Sequence, residues 1–346
     1  MDAESLNSPR WPAAPKGGFH EAWFVSASDG RAGHGLWLRY AVEMSRAGAV
    51  EASVSASWFE QAGRDHTFVI RKSVSPATIS RGAVRFGDAE LTAAGCAGEA
   101  EADGHALRWR FTFGQGDSAD EMVPAWMAPI ARLRGSGYVL PHSATTISGA
   151  VEVDGRLFEV QRVPAAQGHL WGRSYWPAWA WARCSAFAED PEASIDLLDV
   201  EGPLGARFPM FALRFRGAVH RFGELPWMPL TVSQAAPPTW HFAARDARLA
   251  IDGVVRSAPE TMVQVQYANP DGSLRHCVHS AVASMEVRVR SRAFVGAPWR
   301  AEGTLTSRSG ASLEFCGRAG DPRVSRLLVP ATPLPANRTA DGSVAS

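Results

Sequence analysis

The segment ALRWRFTF, residues 106–113, alternates strictly, with Leu107, Trp109, Phe111 and Phe113 on one side and Arg108, Arg110 and Thr112 on the other. A period of two suits a β-strand with one wet face, whereas a helix would scatter the same apolar residues around its axis. FALRFRGAVHRF repeats the pattern, setting Phe211, Leu213 and Phe215 against Arg214 and Arg216. So does SMEVRVRSR, with Met285, Val287 and Val289 facing inward. Helical periodicity is scarce. Its best candidate, SWFEQAGRDHTF, is interrupted by Gly63.

Turn chemistry agrees with antiparallel strands. Asp154-Gly155 in AVEVDGRLFEV and Asp252-Gly253 in ARLAIDGVVRS lie between strand-like runs, the strongest local hairpin signal. YANPDGSLRHCV carries a Pro-Asp-Gly turn at Pro270 to Gly272, and EAWFVSASDGRAGHGLWLRYAVEM reads as a longer hairpin. Many short strands without crossover helices predict an all-β barrel or sandwich. A chain of 346 residues accommodates two such units. The alternation breaks near VPAAQGHLWG, which predicts a first barrel over 17–174 and a second over 175–331. Residues 1–16 and the tail 332–346 are expected to be disordered.

Formal net charge is zero and arginines are spread singly, so a nucleic-acid partner is not expected. No apolar run reaches the roughly 20 residues that span a bilayer. The acidic start MDAESLNSPR lacks the apolar core of a signal peptide, which predicts a cytoplasmic protein. Cys96, Cys184, Cys277 and Cys316 lie far apart and read as buried small hydrophobes. HCVH, residues 276–279, has no second ligand pair, so no metal is expected. GRAGHG, residues 30–35, lacks the lysine of a phosphate loop and reads as a turn. No nucleophile elbow of the G-x-S-x-G type is present.

Tryptophan is the outlier, at 13 residues, and four of these fall in GHLWGRSYWPAWAWARCSAF, residues 168–187, beside His169. This stretch resembles the central motif of the tocopherol cyclase and hydroxyneurosporene synthase (carotenoid 1,2-hydratase) group. There, a Trp-Gly precedes an aromatic, Pro-rich spacer and a Trp-x-Trp strand. GFHEAWFVSA (18–27), RHCVHSAVASMEVRV (275–289) and VGAPW (295–299) are similar to further motifs of that group. The resemblance implies two lipocalin-like β-barrels in tandem, no cofactor, and a hydrophobic polyene, prenylated or polyketide-like substrate. Its known activities are protonation followed by ring closure or addition of water, and relatives act as pericyclases. Ser185 stands where tocopherol cyclases carry Asn, and the His-x-Trp-Gly spelling is closer to the hydratase branch. The rival reading is a non-catalytic lipocalin-like carrier of an apolar metabolite. Passing contact with a membrane surface stays open, and no oligomeric state is implied.

Protonating a C=C bond needs an acid in a dry site and aromatic faces for the cation that follows. Glu21 and Asp199 are the candidate acids, with Asp196 as the alternative to Asp199, since period two points only one of them inward. His169 is the candidate base or orienting residue. Trp171, Trp23, Trp176 and Trp179 are expected to wall the substrate cavity in a barrel mouth. Arg173 is expected to pair an acid or hold an anionic substrate end.

Overall fold

The computed structural model describes residues 3–10, 17–61, 66–74, 78–80, 83–114, 120–324 and 328–331. The fold is all-β: two lipocalin-like antiparallel sheets in tandem, with little helix. The order across the first is Phe68–Val74, Val50–Glu60, His34–Met44, Phe19–Asp29, Arg156–Gly172, Gly137–Val153, His105–Phe113, Gly95–Ala102, then three short strands back to Thr78–Ser80. Its edge strand Phe68–Val74 approaches Gly95–Ala102, which curls the sheet toward closure. The second sheet repeats the plan. Ala218–Phe222, Arg207–Phe215, Ser194–Glu201 and Trp179–Cys184 lead to the long pair Arg300–Gly317 and Leu274–Ser291, then to Leu249–Arg256, Thr239–Arg245 and Val232–Ala236. In each sheet the first strand pairs with the last long one, Phe19–Asp29 with Arg156–Gly172 and Trp179–Cys184 with Arg300–Gly317.

Alternation decides which side chains fill each interior. Trp23, Tyr40, Trp58 and Trp109 pack inside the first sheet, and the Trp109 indole N–H donates to Tyr40 Oη at 3.1 Å. Phe211, Trp240 and Phe242 fill the second. A third apolar cluster, with Phe24, Trp37, Tyr175, Trp181 and Tyr267, lies between the sheets. Strands at this seam bury both faces, and every residue from Phe19 to Ser28 is buried. Complete burial of a large apolar side chain contributes about 1.5–3 kcal/mol, so this seam adds a third core to the two interiors.

Several expectations change. The turns at Asp154-Gly155 and Pro270 to Gly272 join paired strands, as does the hairpin at 30–33, but Leu249–Arg256 runs straight through Asp252-Gly253. The long partner Leu274–Ser291 keeps pairing across that point. Gly253 serves close approach instead: a Cβ there would lie 2.3 Å from the Glu286 carbonyl oxygen and 2.6 Å from the Phe242 ring. Within SWFEQAGRDHTF, residues 57–60 end the strand Val50–Glu60 rather than start a helix, and Gly63 lies outside the described residues. Residues 3–10, expected to be disordered, contain the helix Ala3–Asn7 with Leu6 and Asn7 buried, because the first sheet offers them polar and apolar partners. The tail 332–346 lies outside the described residues. Cys277 and Cys316 are not separate thiols. They sit directly opposite on neighbouring strands, Cα atoms 4.0 Å apart, and form a disulfide, while Cys96 and Cys184 are free and buried.

The sheets meet at close range. Ser26 and Ser312 hydroxyls lie 2.6 Å apart, the Ser28 hydroxyl donates to the Ala281 carbonyl oxygen at 2.8 Å, and a Cβ on Gly35 would lie 2.4 Å from that same oxygen. Gly35→Ala must therefore push the sheets apart. It is expected to destabilise the protein by about 1–3 kcal/mol, read as a lower urea midpoint with unchanged far-ultraviolet dichroism.

Candidate functional site

A cavity of about 140 Å³ opens between the two sheets, not in the mouth of either barrel as the sequence had suggested. Both interiors are filled with side chains, so the seam is where space remains. Its aromatic walls come from Phe24, Trp37 and Trp171 of the first sheet and from Trp176, Trp179 and Trp181. The four tryptophans of residues 168–187 all line it: the chain leaves the first sheet at Gly172 and enters the second at Trp179. Val123, Met127, Leu198, Val200 and Met210 form an aliphatic end.

The opposite end is polar. His20, Arg39, Tyr175, Tyr267 and Glu314 line it, and among the described residues Glu314 is the single carboxylate of the lining. Arg39 donates to Tyr175 Oη at 2.6 Å and to Glu43 Oε1 at 3.3 Å, and its guanidinium lies 4.4 Å from the Tyr267 ring centroid. Burial weighs against the Arg39 charge, yet Tyr175, Glu43 and Tyr267 more than offset it and hold its pKa above the usual guanidinium value. Burial raises the Tyr175 and Tyr267 hydroxyls well above the ordinary phenol range. His20 stacks on Tyr175 with centroids 3.8 Å apart, and burial followed by the Arg39 charge pushes its pKa down to about 3. Glu314 Oε1 accepts the Trp179 indole N–H at 2.7 Å.

The residues picked out from sequence separate into two places. Trp171, Trp176 and Trp179 reach the cavity. Glu21, His169 and Trp23 meet inside the first sheet, on the same strand face as Trp171, which pairs in register with Glu21, lies 4.9 Å from the His169 ring by centroids and reaches the cavity from the strand end. His169 Nε2 lies 2.8 Å from Glu21 Oε1, and the pair is fully buried. His169 Nδ1 lies 2.7 Å from the Leu6 carbonyl oxygen, which can only accept, so Nδ1 carries a proton. Trp23 stacks on His169 at 4.6 Å and donates to the Asn7 carbonyl oxygen, and Glu21 Oε1 accepts the Arg10 backbone N–H at 2.6 Å. The geometry is that of an anchor for residues 3–10. Arg10 extends it, its guanidinium lying 5.0 Å from the Trp171 ring centroid.

Asp199 points into the second sheet, where Arg207 and Ser233 hold it. Asp196 takes the other face, at the seam, where it accepts from Arg183 at 2.9 and 3.1 Å. Burial raises the Asp196 carboxyl pKa against the pull of Arg183. Arg173 is exposed, its side chain lying alongside Gly135. Of the four tyrosines in the chain, Tyr138, Tyr175 and Tyr267 line the cavity. That scarcity was the available signal for the polar wall; Glu314 and His20 had none, because only the pairing of distant strands brings them here.

The family model for tocopherol cyclase-like proteins matches residues 105–314. The chain belongs to the tocopherol cyclase-like family. This tocopherol cyclase-like chain is 22% identical over 308 residues to an uncharacterized Mycobacterium tuberculosis protein, covering 84% of the chain and 87% of that protein. Among solved structures it resembles an AttH candidate from Nitrosomonas europaea, with a TM-score of 0.55, 12% identity and coverage of 91% and 97% of the two chains. It also resembles CghA solved with Sch210972, with a TM-score of 0.50, 11% identity and coverage of 92% and 93%. At these identities the structural likenesses show the fold.

Two outcomes are expected from the geometry. His169→Ala leaves the Glu21 carboxyl buried without its imidazole; a loss of about 3 kcal/mol or more is expected, with new proteolytic cleavage within residues 3–10 detected by mass spectrometry. His20 has a folded pKa below its unfolded value of 6.5, so the unfolded chain binds the extra proton between 6.5 and about 3. Its stabilising contribution is complete above that window and falls as pH drops through it, by up to about 1.4 kcal/mol per unit. His20→Gln is expected to flatten this slope, measured by urea unfolding at about pH 5 and about pH 7.

Proposed function

We propose that the protein is a cofactor-independent cyclase, hydratase or isomerase acting on a hydrophobic polyene, prenylated or polyketide-like molecule held between its two sheets. The observation that carries this reading is an aromatic-walled cavity with one carboxylate in its lining, Glu314. A carboxylic acid surrounded by apolar walls is suited to give a proton to a double bond, and each tryptophan face lowers the energy of the resulting cation by about 0.5–2 kcal/mol. The same walls would also fold a flexible polyene for pericyclic closure. Membership of the tocopherol cyclase-like family and the likeness to CghA solved with Sch210972 support a ligand-binding role for this seam. A carotenoid or terpenoid substrate belongs to this proposal and follows from the sequence resemblance.

No helix among the described residues is long and apolar enough to cross a membrane. The cytoplasmic placement inferred from the N-terminus opposes the Cys277–Cys316 disulfide, since reducing compartments rarely keep such bonds.

Purified protein incubated with metabolites from a deletion strain is expected to convert one compound, seen by mass spectrometry as an isomer of equal mass or a product heavier by one water. Trp181→Leu keeps an apolar side chain but removes one aromatic face and is expected to slow that conversion by roughly twofold to thirtyfold. Retention of a compound without turnover would instead make the protein a carrier.

A further inference from the structure

His279 is a buried imidazole without a hydrogen-bond partner on either ring nitrogen. It sits among rings, with centroids 4.5 Å from Trp37, 5.4 Å from Phe59 and 6.4 Å from Trp181. Leaving buried polar atoms unpaired costs about 1–3 kcal/mol, so the position calls for a reason. The nearest charged group is Glu314: His279 Nδ1 lies 3.6 Å from its Oε2, a few tenths of an ångström beyond hydrogen-bond reach. The two residues face each other across the strands Leu274–Ser291 and Arg300–Gly317. On the same face, two residues along, the next rung is the Cys277–Cys316 disulfide, which prevents the two strands from slipping in register.

We propose that Glu314 and His279 form a proton-transfer pair in the cavity wall, with Glu314 as the catalytic residue and His279 as the positioning residue behind it. The inference rests on the cyclase or isomerase reading above and names its acid. Glu314 is oriented by two lining residues, the Trp179 indole N–H on Oε1 and the Tyr267 hydroxyl, 3.4 Å away, on Oε2. In the step, the carboxyl O–H bond of Glu314 breaks as a C–H bond forms at one alkene carbon of the substrate, leaving a carboxylate beside a carbocation. Ring closure moves the charge along the chain. Loss of a proton from the neighbouring carbon, or from a water that has added, then returns one proton to the Glu314 carboxylate. His279 exchanges that proton with Oε2 through Nδ1, so the carboxyl is reset without bulk solvent. No oxidant or other co-reactant is needed.

Other charged groups on the strand faces packed around His279 are already engaged. Arg39 is held by Glu43 and Tyr175, Arg71 by the carbonyl oxygens of Pro330 and Gln266, and Arg183 by Asp196; the neighbouring phenols are Tyr267 and Tyr138, which accepts the Trp181 indole N–H. Glu314 is thus the group whose removal should be felt at His279.

The test uses the full chain labelled with nitrogen-15 histidine. His279 is assigned from the resonance that His279→Asn removes, and its ring-nitrogen shifts are compared by nuclear magnetic resonance in the wild type and in Glu314→Gln. Glu314 is the charged group facing Nδ1, at 3.6 Å, so Glu314→Gln is expected to move the His279 ring-nitrogen resonances. The carbonyl of Gln still accepts the Trp179 N–H, and Glu314→Asp serves as a second variant if the first fails to fold. Unmoved His279 resonances overturn the pair. In the metabolite assay, Glu314→Gln is expected to lose at least about a hundredfold in turnover and His279→Asn about tenfold, with binding retained. Undiminished turnover in Glu314→Gln overturns the assignment of the acid, whereas a wild type inactive on every extract overturns the enzymatic reading and leaves the His279 resonance shift to decide the pair.

Discussion

Everything in this molecule depends on strands that bury both of their faces. In Phe19–Asp29, Glu21, Trp23 and Val25 face the first sheet's interior, while His20, Phe24 and Ser26 face the second sheet. In Trp179–Cys184, Ala180 and Ala182 face one interior while Trp179, Trp181 and Arg183 face the seam. A strand with an apolar inner face and a largely aromatic outer face cannot end at solvent, so each sheet must cover the other. The sheets touch where residues are small, at Ser26, Ser28, Gly35 and Ala281, and stand apart where tryptophans and tyrosines hold them open. The cavity is what that mismatch in side-chain size leaves behind.

Two buried carboxylate–histidine pairs follow from this plan, and their surroundings assign them different work. Glu21 and His169 are tied down on several sides, by Leu6, Arg10 and the stacked Trp23, so the pair fastens the N-terminal segment. Glu314 lines the cavity, and both ring nitrogens of His279 behind it are unpaired. Polar groups held from several sides in a packed interior stabilise one arrangement, whereas an imidazole without partners behind a cavity wall retains the capacity to take one.

Much of the fold was legible in ALRWRFTF and its counterparts, because a strand with one wet face writes its pleat directly into the sequence. The hairpin at Asp154-Gly155 was equally plain, both residues taking positive φ, at 49° and 78°. Asp252-Gly253 misled because the same dipeptide also suits a glycine pressed under a ring, and only the neighbouring strand distinguishes the two. Trp171, Trp176 and Trp179 of the tryptophan-rich stretch line the cavity. Glu21 and His169 lie on the inner face of their strands with Trp171, whereas His20 and Leu170 take the outer face, a division that only the register between strands reveals.

By itself, the sequence determined the local periodicities: strands, most turns, a division into two sheets and a concentration of aromatics where the chain crosses from one to the other. These are properties of residues near one another along the chain, fixed by the two-residue pleat and by turn stereochemistry. Only the tertiary structure decided which face of each strand looks at which core. Glu314 meets Trp179 from 135 residues away along the chain, and His279 from the other arm of a long hairpin. Such a meeting is set by register between distant strands, where a shift of one residue would exchange every inner side chain for an outer one.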